Sequence, residues 1–246
     1  MLCTHSRILE IAPECQDKDP ACREWTTSGG LIVCNQPGYI RDNCPRSCKI
    51  CLRIPPEYDA TRVPDNLKPI EFLIGIWRSE HDGHAFFPTI PRFTFGEQVE
   101  FKLPGAQFSG IPALNYSTFA WAMNGNKIMN EELHSETGYL TVKPGTTQFS
   151  LTTVMSNGFS TVEEGTLNGN RTLTFRLVDI GRISFSRDLP VHDIIREWRW
   201  INPTVMEARL SMETLTHSKH KTSSSLISLF IGMREHTTVV YRKIFP

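Results

Sequence analysis

Neither sign of charge is in excess in this sequence: 26 Lys and Arg residues are balanced by 26 Asp and Glu. Gripping nucleic acid requires a basic stripe that neutralises phosphates, so no DNA or RNA partner is expected. Long hydrophobic runs are missing too. Apolar stretches such as Phe119–Met123 or the one near Ile227–Ile231 stay far short of the ~20 residues of a membrane-spanning helix. Cysteine is absent from Leu52 to Pro246, which excludes a thiol nucleophile there. There is no GxSxG elbow, HExxH pair, glycine-rich phosphate loop or dinucleotide fingerprint. Glu131 and Glu132, like Glu163 and Glu164, are adjacent carboxylates. Adjacent residues on a strand face opposite ways, so neither pair can serve one substrate as acid and base. Both pairs are expected in solvated turns or edges.

What cysteine there is lies almost entirely in one place. Cys15, Cys22, Cys34, Cys44, Cys48 and Cys51 crowd into 15–51, with only Cys3 outside. A segment this short cannot bury an adequate core, and covalent bridges take its place. Cys48 and Cys51 form a CxxC, but no second close pair or nearby histidines complete a zinc site. Disulfides fit better, and spacing alone does not choose their pairing. They imply an oxidising compartment, hence an extracellular or secretory location. Residues 1–14 show no apolar core of an export signal, so a cytoplasmic location is the alternative. Pro55, Pro56 and Pro64 mark 52–65 as a stiff linker.

From 66 to 246 the dominant signal is alternation. Val99, Phe101 and Leu103 alternate with polar residues, as do Leu173, Phe175 and Leu177, and Met206, Ala208, Leu210 and Met212. Period two with one apolar face marks antiparallel strands over a single core. Asn124-Gly125, Pro144-Gly145, Asn157-Gly158 and Asn168-Gly169 supply turns. The expected fold class is all-β, an antiparallel barrel with an interior wide enough for one ligand. Only 66–76 has the pattern of a short helix. His81 and His84, or His217 and His220, sit in polar stretches and are expected at the surface.

The cysteine-rich segment resembles a ShK toxin-like (ShKT) domain. Cys15 to Asp17, Cys22 to Trp25, Cys34, Tyr39 and Cys44 to Cys51 carry the likeness. The resemblance implies the pairs Cys15–Cys51, Cys22–Cys44 and Cys34–Cys48. Channel-blocking members place a lysine before the tyrosine, whereas here Gly38 precedes Tyr39. A stapled interaction module with a protein partner is therefore expected rather than channel block.

Residues 66–246 resemble the nitrobindin family of small haem-binding β-barrels. The likeness rests on the order and spacing of several pieces: Phe72 to Trp77, Phe87 to Ile90, Glu97 to Phe101 and Leu133 to Tyr139. It continues through Val162 to Gly169, Arg182 to Phe185, Ile195 to Trp198 and His236 to Lys243. It implies a barrel of about ten strands binding one haem b per chain, with His236 as iron ligand and catalytic centre. Thr89 would line the haem, and Arg196 would pair with a propionate or else face outward. His134 is expected in the barrel wall and Trp77 in the core. The implied activity is isomerisation of peroxynitrite to nitrate at ferric haem, with nitric oxide binding. A haem-free carrier of fatty acid, and a ShKT-centred interaction protein using the barrel as scaffold, are the alternatives. The segment between Met212 and His236 is longer than in relatives and offers His217 and His220 as rival ligands.

Overall fold

The computed structural model describes residues 16–29, 31–34, 38–49, 54–87, 91–105, 110–125, 127–214 and 234–245. The chain divides into two units, 1–55 and 56–246. In the first, the disulfide Cys22–Cys44 ties α1 (Cys22–Ser28) to the end of α2 (Tyr39–Asn43), and Cys34–Cys48 ties the 3₁₀ turn Leu31–Cys34 to the turn after α2. These are two of the three pairs the ShKT resemblance implies; Cys15 and Cys51 lie outside the described residues. The buried core here is the four half-cystines, with Trp25, Val33 and Ile40 against them. Asp17 accepts hydrogen bonds from the Arg46 and Ser47 amides and the Ser47 hydroxyl. This joins the two ends of the module without a core.

In the second unit the alternating stretches become ten antiparallel strands. They are β1 (Gly75–Ala85), β2 (Phe93–Lys102), β3 (Ala113–Asn124), β4 (Lys127–Val142) and β5 (Gln148–Met155). There follow β6 (Phe159–Leu167), β7 (Thr172–Arg182), β8 (Val191–Asn202), β9 (Val205–Thr214) and β10 (Arg234–Phe245). Each pairs with its sequence neighbour, and β1 pairs with β10 to close the barrel. Closure leaves no sheet edge to template aggregation.

One end is stoppered. A 3₁₀ stretch, Asp65–Leu73, buries Leu67, Ile70 and Leu73 against the core. Pro69 within it has no amide hydrogen to donate, which explains why the expected helix is not a regular α-helix. The proline-containing stretch is only in part a linker. From Pro56 onward it belongs to the barrel unit: Tyr58 is buried against Phe245 and bonds Glu100, and the Glu57 carbonyl accepts from the Leu103 amide. Above the stopper lies an aromatic layer in which Trp198 meets Phe101 and Phe175 edge-on at 5.2 and 4.9 Å.

Gly138 shows how tightly β4 and β5 approach. A Cβ there would lie 1.8 Å from the Thr152 carbonyl oxygen, a backbone atom that cannot swing aside. Gly138→Ala should therefore cost about 3 kcal/mol, the upper end for overpacking. Urea unfolding should show a lower midpoint at unchanged slope.

Candidate functional site

Strand directions place the end of β1 and the starts of β2 and β10 at the end opposite the stopper. A cavity of about 590 Å³ fills that half of the barrel. Its upper walls are largely apolar, with Phe87, Phe93, Phe95, Phe159 and Ile194 among them, and Arg187, Asp188 and Arg209 also line it.

His236 lies on this wall, only 2% exposed. The way it gets there is specific. Along β10, Val239 and Tyr241 face inward, so strict alternation would turn residue 236 outward. Glu235 pairs with Ser211, but Thr237 pairs with the very next residue, Leu210. His236 is the extra residue of a β-bulge, which resets the phase and aims its ring inward. Nδ1 lies 3.0 Å from the Arg234 carbonyl oxygen. A carbonyl can only accept, so Nδ1 carries the proton and, in the neutral ring, Nε2 carries the lone pair. The ring also packs edge-on against Phe87 at 5.4 Å. An imidazole with a fixed tautomer among aromatic and aliphatic walls is a donor that fits haem.

Below the apolar walls runs a buried polar belt. The Arg196 guanidinium donates to Glu163 at 3.1 Å and to Glu136 at 3.2 Å. Glu163 is 0% exposed, Glu136 5% and Arg196 6%. Glu163 also accepts from Thr161, and His134 lies 3.2 Å from Glu136. Opposite, Glu97 accepts from the Tyr241 hydroxyl at 2.5 Å and from Thr118 at 3.1 Å. Burial pushes the Glu97 carboxyl up, despite those two donors. Burial acts the same way on Glu136, but Arg196 and then His134 outweigh it and hold this carboxyl at about 2. For His134 burial opposes the charged ring, and the bond to Glu136 prevails, leaving its pKa raised. Among the described residues no group of three or more His, Cys, Asp or Glu is arranged to hold a bare metal ion.

The belt predicts an acid response. A carboxyl depressed in the fold contributes stability above its unfolded pKa and loses it as pH falls through its folded value. Glu136 should thus support the barrel at pH 5–8 and cease to do so as pH drops from about 4.5 towards about 2. In Glu136→Gln, thermal melts from pH 7 to pH 3 should show a shallower loss of stability than wild type.

Several expectations change here. Glu163 is buried inside the barrel, not solvated at a turn or edge; only its neighbour Glu164 faces out. Arg196 does not face outward, and its guanidinium is already held by two protein carboxylates. His134 lines the cavity as well as standing in the wall, and Trp77 is core, its ring donating to the Leu73 carbonyl. Thr89, His217 and His220 lie outside the described residues. Sequence reasoning used Glu97, Glu136 and Tyr241 only as marks of resemblance and did not place them, or Tyr116, in a buried belt. A signal was present: Phe93, Phe95, Glu97, Val99 and Phe101 share one phase of β2, so Glu97 occupies an apolar position.

Comparison with known proteins agrees with this architecture. Residues 66–227 match the model of the THAP4-like, heme-binding beta-barrel domain, and 14–51 match the ShK domain-like model. The first match ends before His236. An uncharacterized Caenorhabditis elegans protein is 40% identical over 252 residues, covering 100% of this chain and 78% of its own length. The Rattus norvegicus protein named peroxynitrite isomerase THAP4 is 28% identical over 193 residues. That match takes in 78% of this chain but only 30% of the rat protein. The crystal structure of Rv2717c from M. tuberculosis superposes with a TM-score of 0.53 at 23% identity, covering 74% of this chain and 98% of that one, a likeness of fold. The disulfides are compatible with an extracellular location. Among the described residues no helix is long and apolar enough to cross a membrane.

Proposed function

This chain belongs to the THAP4-like, heme-binding β-barrel family, here joined to a ShK-like module, and from that premise we propose that it holds one haem b through His236 and isomerises peroxynitrite to nitrate. The observation that carries the proposal is the bulge-directed His236, buried on the wall of an apolar cavity with its Nδ1 proton committed to the Arg234 carbonyl. When bound, haem supplies the ferric iron that acts as Lewis acid towards peroxynitrite and that nitric oxide also binds.

The chain's own residues do the rest. His236 presents Nε2 in a fixed direction, because its other nitrogen is held by backbone rather than by a mobile side chain. Phe87, Phe93 and Phe95 exclude water from one flank and offer flat apolar surface to a macrocycle. The belt below closes the cavity with side chains that satisfy one another. No positive charge is left over there, since Arg196 faces two carboxylates and Glu97 lies nearby.

That charge arrangement also bears on the carrier alternative. A fatty acid brings a carboxylate, and the buried arginine at the base of the cavity is already doubly engaged. Haem needs no such partner at the base. Titration with ferric haem should saturate near one equivalent with a Soret band, and the loaded protein should raise the nitrate yield from peroxynitrite. Failure to take up haem, together with tight binding of oleate, would overturn the proposal in favour of the carrier. The ShK-like module is proposed to contact a protein partner.

A further inference from the structure

Two Asn-x-Ser/Thr triplets lie in the barrel, Asn115-Tyr116-Ser117 and Asn170-Arg171-Thr172, and the fold treats them differently. Asn115 sits within β3, its neighbours across the ladder being Lys102 and Tyr139. Its Nδ2, the atom that would carry a sugar, donates to the Leu103 carbonyl at 3.3 Å. Both asparagines are exposed, but Asn170 sits in the turn between β6 and β7 rather than within a strand. The hydrogen bonds that shape this turn come from a different residue: the Asn168 Oδ1 accepts from the amides of Asn170 and Thr172 at 3.2 and 3.1 Å. Arg171 adopts a left-handed φ of 51° and lays its guanidinium over Trp200, 4.6 Å from the ring centroid. The turn is thus held by Asn168 and Arg171, and the Asn170 carboxamide makes no hydrogen bond among the described residues.

We infer that Asn170 is an N-glycosylation site and that Asn115 is not. The disulfide-stapled module supplies the independent reason to expect passage through the oxidising compartment where the transfer occurs. The donor is an oligosaccharide on a lipid diphosphate. Its anomeric C–O bond to the diphosphate breaks, a C–N bond forms at Asn170 Nδ2, the amide proton passes to solvent, and the lipid diphosphate leaves. Transfer acts on the unfolded chain, so the fold decides which product it accommodates. A glycan on Asn170 projects from a turn already complete without that side chain. One on Asn115 displaces the bond to Leu103 and stands between Lys102 and Tyr139. Strand direction also keeps the Asn170 glycan away from the cavity: β6 runs from Phe159 at the cavity end to Leu167 at the stoppered end. Haem uptake should therefore be indifferent to it.

The test is peptide mapping of full-length protein recovered from the organism that makes it. Treating it with an amidase that releases N-glycans in ¹⁸O-water turns each occupied Asn into labelled Asp. Label at residue 170 and none at residue 115 is the expected result. An unlabelled 170 would overturn the inference, and label at both positions would overturn the discrimination between them. Thr172→Ser should retain the glycan and Asn170→Gln should lose it, the two variants melting within a few degrees of each other. Haem titration before and after glycan removal keeps this outcome separate from that of the haem proposal.

Discussion

His236→Ala should weaken ferric haem binding more than ~100-fold, since disturbing even an outer partner of a metal ligand costs ten- to a hundredfold. The Soret band should weaken and shift, and nitrate formation from peroxynitrite should fall to the uncatalysed level. Loss of one ring from a wall that already borders an open cavity leaves the aromatic layer and the belt intact. The apo-protein should accordingly melt within a few degrees of wild type. Added imidazole distinguishes a lost ligand from a damaged pocket. In the variant it should restore much of the wild-type spectrum by occupying the vacated space. An unchanged Soret band in His236→Ala would show that iron is held elsewhere, and His217 and His220 would then be substituted in turn.

Arg196→Met should be the most damaging substitution for stability. It removes the cation that faces Glu136 and Glu163, both buried in the barrel. Breaking a buried pair from one side leaves an uncompensated charge and costs about 3–5 kcal/mol. For a domain of this size each kcal/mol lowers the melting temperature by roughly 2–4 °C, so a fall of about 6–20 °C is expected. Arg196→Lys should recover only part of it, because one ammonium cannot replace a fork that donates to two carboxylates at once. The pH dependence should change sign as well. Without the arginine, burial pushes the Glu136 carboxyl up, and a group raised above its unfolded pKa loses stability as pH rises through the folded value. The variant should be more stable near pH 5 than near pH 8. A melting temperature within about 2 °C of wild type at both pH values would mean that the belt is hydrated and does not depend on the ion pair.

The barrel itself was legible because alternation needs only local sequence. Val99, Phe101 and Leu103, or Met206 to Met212, declare their inward face without knowledge of any partner. The belt was not legible, for the opposite reason. A charged residue reads as outward until its counter-charge is known, and here Arg196 meets Glu163 and Glu136 across 33 and 60 residues of sequence. Glu163 was misjudged on the same ground, as half of an adjacent acidic pair. The stretch from Pro56 to Asp65 reads as linker because its contributions to the barrel, among them the Tyr58 ring, Val63 and the Glu57 carbonyl, form no regular pattern. His236 could be singled out only by family resemblance. On alternation alone, counted back from Tyr241, it belongs on the outer face.

The proposed iron ligand thus depends on a count rather than on an identity. Even and odd positions of β10 trade faces once, at residue 236, while Val239 and Tyr241 keep their inward face through regular pairing with β9. Deleting Glu235 would leave the histidine in the sequence, unaltered and still a few positions before Tyr241. Yet the odd-even ledger would then balance without a bulge, and the ring would point to water. Within such barrels, a chain can thus lose its haem ligand by a change that no comparison of residue types would flag, and an alignment gap here is as consequential as a substitution of the histidine itself.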